Sequence, residues 1–304
     1  MLAYGTPADA FDEIFGIAES TALLTLEHFV DSIIKLYKEE YLRPPNDEEI
    51  TRILEVNRQR GFPGCLGSID CQHWFWKNCP MALQGMFKGK EEKPNIVLEA
   101  ICDRDLYIWH AFFGVAGSNN DFNVLNTSPL IDLINNEIFP PVRCYAVGDK
   151  VFTRPYFLGD EIYPPWGIFA KTITCPTNDE ERKYQKAQEA VRKDIERLFG
   201  VLIQRFRILD IGCRLWKKEI IGKVMYACLI LHNMIIRHYR ETNPGHVEEE
   251  FEEDMFGPIP ERTSQRANQA SFSDGVDFES NRAYSVKTHV DLRNELVKEM
   301  AKND

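Results

Sequence analysis

The chain has 304 residues, 44% apolar and 27% charged, enough for one large folded domain and an accessory part. It contains no run of 18 or more apolar residues and no basic leader at its start, so neither a membrane span nor secretion is expected, and eight scattered cysteines without a CxxC pair argue against disulfides or a structural zinc and for reduced, mostly buried thiols. The net charge of −11 is unevenly spread: residues 241–304 hold 7 Lys/Arg against 15 Asp/Glu, whereas 181–240 hold 14 against 6, so an acidic tail masks a basic segment.

From about Thr6 to Tyr37 the pattern is helical, with Phe11, Ile14, Leu23, Leu26, Phe29 and Ile33 at helical spacing and Gly16 as a turn. Two helices around a short turn could form a helix-turn-helix, but the second carries only Lys35 and Lys38 at its end, which suits a packing hairpin better than a base reader. Pro44-Pro45 breaks the chain, and a linking helix is expected from 46 to about Arg60. Strands follow at 65–71, 95–102, 106–113, 143–148, 156–160 and 167–172, interrupted by a helix over 122–138. Residues 178–240 read as helix again, with a break near 210–212. Beyond His246 the sequence is acidic and poor in branched aliphatics, which predicts disorder to about Asn281 and a short amphipathic helix near 290–300. The order implies an α/β fold: a mixed sheet flanked by helices over 61–241, a helical segment over 1–60, and an acidic, mostly disordered tail over 242–304.

Four acids stand where metal chemistry on a phosphodiester would need them. Asp70 lies inside the apolar strand Gly67–Cys71, Asp160 ends another in Phe157-Leu158-Gly159-Asp160, Asp121 opens a helix after Gly117–Asn120, and Glu196 is on a helix. A carboxylate in an apolar strand is costly to bury unless it is paired or binds a metal. Two strand-borne acids and one helix-borne acid can converge at a sheet edge around two hard divalent ions, Mg²⁺ or Mn²⁺. Each acid also has a plainer reading. Asp121 is a good N-cap, Glu196 could pair with Arg192 or Lys193, and Asp160 could be a turn residue. Asp149 also ends a strand and competes with Asp160.

The stretches GFPGCLGSIDCQHWFWKNCP (61–80), IVLEAICDRDLYIWHAFFGVAGSNNDFNVL (96–125), YFLGDEIYPPW (156–166), QEAVRKDIERLFGVLIQRF (188–206) and ILHNMII (230–236) resemble, in this order, the Harbinger-type DDE transposases of plants and nucleases derived from them. That resemblance implies a ribonuclease-H-like fold, cleavage of DNA phosphodiester bonds, and metal ligands at Asp70, Asp121, Asp160 and Glu196, with Asp70, Asp160 and Glu196 as the catalytic set. It ranks Asp160 above Asp149, because GDEIYP matches the family motif, and the 35 residues between Asp160 and Glu196 are a spacing typical of DDE enzymes. It further implies nuclear localisation, DNA as partner, a Myb/SANT-like DNA-binding protein as accessory partner and an oligomer, with no membrane. Around the acids, Trp74, Phe75, Trp76 and Lys77 offer stacking or core packing, while Arg192, Lys193 and Arg197 could hold phosphates. His232 reads as a core histidine. The rival expectation is a domesticated, catalytically silent DNA- or protein-binding factor.

Overall fold

The apolar run Asn95–Cys102 has no polar-apolar alternation, the pattern of a strand covered on both faces. In the computed structural model, which describes residues 1–89, 92–243 and 285–302, this run is β2, and all eight of its residues are buried. It pairs antiparallel with β1 (Cys65–Phe75) on one side and β3 (Ile108–Ala116) on the other. On its other edge β1 runs parallel to β6 (Tyr156–Gly159), which runs parallel to β7 (Phe169–Lys171), giving the order β3-β2-β1-β6-β7. The β1–β6 register slips between Cys65 and Ser68, where Gly67 has φ 138° and a Cβ would stand 2.1 Å from the Cys102 carbonyl oxygen. Only glycine fits there.

Two expectations for the stretch between β3 and β6 are corrected. The single helix over 122–138 is two: α5 (Asp121–Thr127) and α6 (Leu130–Asn135). Pro129 separates them because it has no N–H to give the Leu125 carbonyl, which accepts from Ser128 instead at 3.0 Å. The strand expected at 143–148 does not join the main sheet: β4 (Tyr145–Val147) pairs only with β5 (Lys150–Phe152) in a separate hairpin. A short helix not expected from the sequence, α4 (Met81–Phe87), follows β1.

Helices cover both faces of the sheet. At the N-terminal end are α1 (Ala10–Phe15), α2 (Glu19–Tyr41) and α3 (Asp47–Gln59). The last is closed by a capping box between Asn46 and Glu49. After β7 come α7 (Asp179–Arg205), a 3₁₀ turn (Arg207–Leu209) and α8 (Lys218–Thr242). Leu26 and Val30 of α2 enter the same core cluster as Ile195 and Leu202 of α7 and Val224 and Cys228 of α8, so α2 is a packing helix of the sheet's own core. By length and composition α8 could span a bilayer, which the sequence pattern had not suggested, yet it buries Val224, Met225 and Leu229 in this core. A second cluster with Ile69, Ile101, Leu130, Phe157 and Phe169 fills the opposite face.

The expected terminal helix is longer than 290–300 and docks firmly. It is α9 (Val286–Lys302), whose Leu292 and Leu296 are fully buried with Phe62, Tyr156 and Tyr184. The disorder expected beyond His246 up to about Asn281 falls on residues 247–281, outside those described. None of the eight cysteines forms a disulfide, and five of them are buried.

Candidate functional site

Strand register brings the first two acids together. Ser68 of β1 pairs with Leu158 of β6, and two residues further on these neighbouring parallel strands carry Asp70 and Asp160. Pairing between β1 and β6 ends there, whereas β1 stays bonded to β2 through Phe75. The half of β1 that starts at Asp70 therefore has one open edge. Asp121 arrives from the far side: β3 ends beside the start of β2, where Gly117 N–H donates to the Asn95 carbonyl at 2.9 Å, and the chain turns into α5. The cap of α5 is Asn120, whose Oδ1 accepts from Asn123 N–H at 2.8 Å. The capping role considered for Asp121 thus belongs to its neighbour, and the Asp121 carboxylate is left for the acid cluster.

The fourth acid comes from α7, which crosses β1 closely enough for Ser68 Oγ to donate to the Val191 carbonyl at 3.4 Å. One residue on, Arg192 bridges two acids: Nη1 donates to Asp70 Oδ2 at 3.0 Å and Nη2 lies 2.8 Å from Glu196 Oε1. The expected pairing of Glu196 with Arg192 therefore exists, but as part of the cluster. Asp160 does double service as well, because Oδ1 accepts from Ile162 N–H at 2.9 Å in a turn.

The three aspartates resist ionisation. Burial, and then the charges of Asp121 and Asp160, push Asp70 up to about 7 despite Arg192. Burial and the Asp160 charge push Asp121 up to about 6, and Asp160 is raised chiefly by burial against the pull of its turn hydrogen bond and Arg192. Three half-buried carboxylates thus compete for negative charge around a single guanidinium. Such a set favours protons, or a hard cation that would take their place. Among the described residues, no group of three or more His, Cys, Asp or Glu side chains stands close enough together to hold a metal ion.

The other expected residues separate. Asp149 is exposed in the β4–β5 turn, on a different sheet from Asp160. Arg197 pairs at 3.1 Å with the buried Asp194, which also binds Arg60. Lys193 is exposed. Trp74 and Trp76 are core residues, while Phe75 between them reaches the surface. His232 is a fully buried core histidine bonded at 2.8 Å to the Leu106 carbonyl oxygen, and burial holds its pKa well below the usual value.

Sequence reasoning passed over a buried polar group behind the acids. Glu99, fully buried in β2 opposite Cys71, accepts from Ser128 Oγ at 2.5 Å and lies 3.1 Å from His110 Nε2. The signal was present as one glutamate in the run NIVLEAIC.

Residues 39–243 match the family described as plant transposon protein. Among curated proteins, "Protein ALP1-like" of Arabidopsis thaliana is 25% identical over 245 residues, covering 77% of this chain and 58% of that protein. "Putative nuclease HARBI1" of Rattus norvegicus and of Homo sapiens are each 24% identical over 230 residues, covering 74% of this chain and 62% of theirs. The chain thus spans about three fifths of the length of these relatives. No solved structure matches it.

Proposed function

The chain belongs to the plant transposon protein family, and from that premise we propose that it is a metal-dependent DNA endonuclease built on a ribonuclease-H-like sheet. The strand order supports the fold assignment: three consecutive antiparallel strands, β3-β2-β1, extended through β1 by the parallel strands β6 and β7. The names of the HARBI1 relatives support the nuclease assignment.

The observation that carries the reading is the set of Asp70, Asp121 and Asp160, all with pKa values raised chiefly by burial, and with Asp121 and Asp160 near enough to raise Asp70 further by their charge. Asp70, Asp121, Asp160 and Glu196 would hold Mg²⁺ or Mn²⁺. The bound ions would supply a nucleophilic water and a Lewis acid for the leaving oxygen. In this chain Arg192 keeps the Asp70 and Glu196 carboxylates turned toward each other, and Asn120 frees Asp121 from the helix end. Glu99, opposite Cys71 in the sheet, is held behind the acids by Ser128 and His110. DNA in the nucleus is the proposed substrate, with a Myb/SANT-like accessory protein to select the site.

The rival reading, a silent DNA- or protein-binding factor, is favoured by one observation: Asp70 and Glu196 are both already engaged by the Arg192 guanidinium. Two measurements separate them. Supercoiled plasmid with Mg²⁺ or Mn²⁺ should be nicked by the parent and left intact by Asp160→Asn. Titration with Mn²⁺ should show binding that Asp70→Asn weakens at least tenfold. A parent that neither nicks nor binds the ion would leave the silent factor as the function.

A further inference from the structure

Past Asp70, β1 leads to a surface that the acid cluster does not use. Phe75 lies five residues along the strand, about 16 Å from Asp70, and is 36% exposed. Beside it the 210–217 loop is tied down at successive positions. Cys213 N–H donates to the Phe75 carbonyl at 2.7 Å, Trp76 Nε1–H to the Leu215 carbonyl at 2.9 Å, and Asn78 Nδ2–H to the Arg214 carbonyl at 2.6 Å. Gly212, at φ 79°, lets the loop press on the Phe75 ring, since a Cβ there would stand 2.7 Å from Phe75 Cδ1.

What this clamped loop presents is Trp216, 67% exposed, while the other four tryptophans are buried. An exposed aromatic on a fixed loop, with a second exposed aromatic, Phe75, against that loop, can serve as a stacking platform. Its surroundings state which kind of partner it suits. Exposed Arg214, Lys217 and Lys218 flank it, exposed Lys77 follows Trp76, and Lys93 Nζ lies 5.7 Å from the centre of the Phe75 ring. Glu92 and Glu219 are the acids next to these in sequence, and Asp210 is paired with Arg207 at 3.0 Å. An apolar protein partner would not need this concentration of cations. A nucleic acid strand would, because it carries one phosphate per base and each base has a face to stack.

We propose that Phe75 and Trp216 stack bases of an unpaired DNA strand as it leaves the carboxylate cluster, with Arg214, Lys217, Lys77 and Lys93 taking its phosphates. The proposal extends the nuclease reading of the site, and it is tested where no cleavage occurs. A fluorescein-labelled oligothymidylate is titrated into the full chain in EDTA, and tryptophan emission and anisotropy are followed together. The parent should bind with quenched emission. Trp216→Ala should lose the quenching and weaken binding roughly 5- to 150-fold, and Trp216→Phe should keep most of the affinity. Arg214→Gln with Lys217→Gln should lower the slope of log affinity against log salt by about 1.4. Asp70→Asn, inactive in plasmid nicking, should bind the oligomer as the parent does, which separates failure of cleavage from failure of this surface.

Unchanged oligomer affinity in Trp216→Ala would overturn the proposal. So would an equal loss for a blunt duplex, since the tryptophan would then be reading the backbone alone. A concentration-dependent dimer abolished by Trp216→Ala would overturn it in favour of a second copy of this chain as occupant.

Discussion

For a carboxylate that resists ionisation, conversion to the amide removes charge at little structural cost. Asp160→Asn should therefore abolish nicking while leaving the melting temperature unchanged or higher, and Glu196→Gln should abolish nicking by removing a proposed metal ligand. Asp121→Asn belongs with them: because Asn120 caps α5, the loss of Asp121's charge should be felt in cleavage and not in the helix. Asp149→Asn, in an exposed turn on another sheet, should cleave normally. A dead Asp149→Asn beside an active Asp160→Asn would reverse this assignment. The pH dependence follows from Asp70, whose pKa rises from 3.8 to about 7 on folding. The folded state then holds the proton more tightly than the unfolded state, so this group's contribution to stability declines as pH rises from about 4 through about 7. In EDTA, Asp70→Asn should melt above the parent by a few degrees at pH 8, each kcal/mol being worth about 2–4 °C, and by less at pH 5. A gap that stays constant with pH would show that Asp70 is already satisfied by Arg192.

At the scale of elements, the site depends on β1 being held from three sides while one edge stays free. β2 supplies the ladder, β6 the second aspartate, and α7 the arginine bridge. The terminal helix α9 supports this arrangement from behind, through Leu292 and Leu296 against Phe62 and Tyr184 and through His289, whose Nδ1 lies 2.8 Å from the Phe169 carbonyl oxygen of β7. Leu292→Ala should cost about 2–5 kcal/mol in urea unfolding, whereas Val290→Ala, 38% exposed, should cost less than about 0.5. A negligible cost at Leu292 would mean that α9 detaches before the body unfolds.

Over the whole molecule, charge is divided between a basic stretch that lies on the folded body and an acidic one near the end of the chain. Residues 247–281 hold 10 Asp/Glu against 2 Lys/Arg. Tethered to the proposed DNA-binding surface, such a polyanion would compete with phosphates. Deleting 247–281 should raise affinity for non-specific DNA several-fold in low salt, with the gain shrinking as ionic strength rises past about 0.15 M. Gel-shift titrations at two salt concentrations check this. Equal affinities at both would show that the segment does not compete.

The sequence by itself determined the elements, because their signals are local. The apolar run of β2 matches its expected bounds, and the capping residues Asn46 and Asn178 start α3 and α7 where side-chain chemistry allows. It also singled out Asp70, since an acid in an apolar strand is conspicuous without knowledge of any neighbour. Which acids meet was a matter for the tertiary structure. Asp149 and Asp160 both end strands in the sequence, and only pairing puts one in a detached hairpin and the other level with Asp70. Arg192 and Arg197 are five residues apart on one helix, yet one faces Asp70 and the other the Arg60–Asp194 pair. Likewise Phe75 and Trp216 share a surface because Gly212 and three backbone acceptors lock a distant loop against the end of β1. Periodicity and capping are written within a few neighbouring residues, whereas register, facing and exposure arise from contacts between segments far apart along the chain.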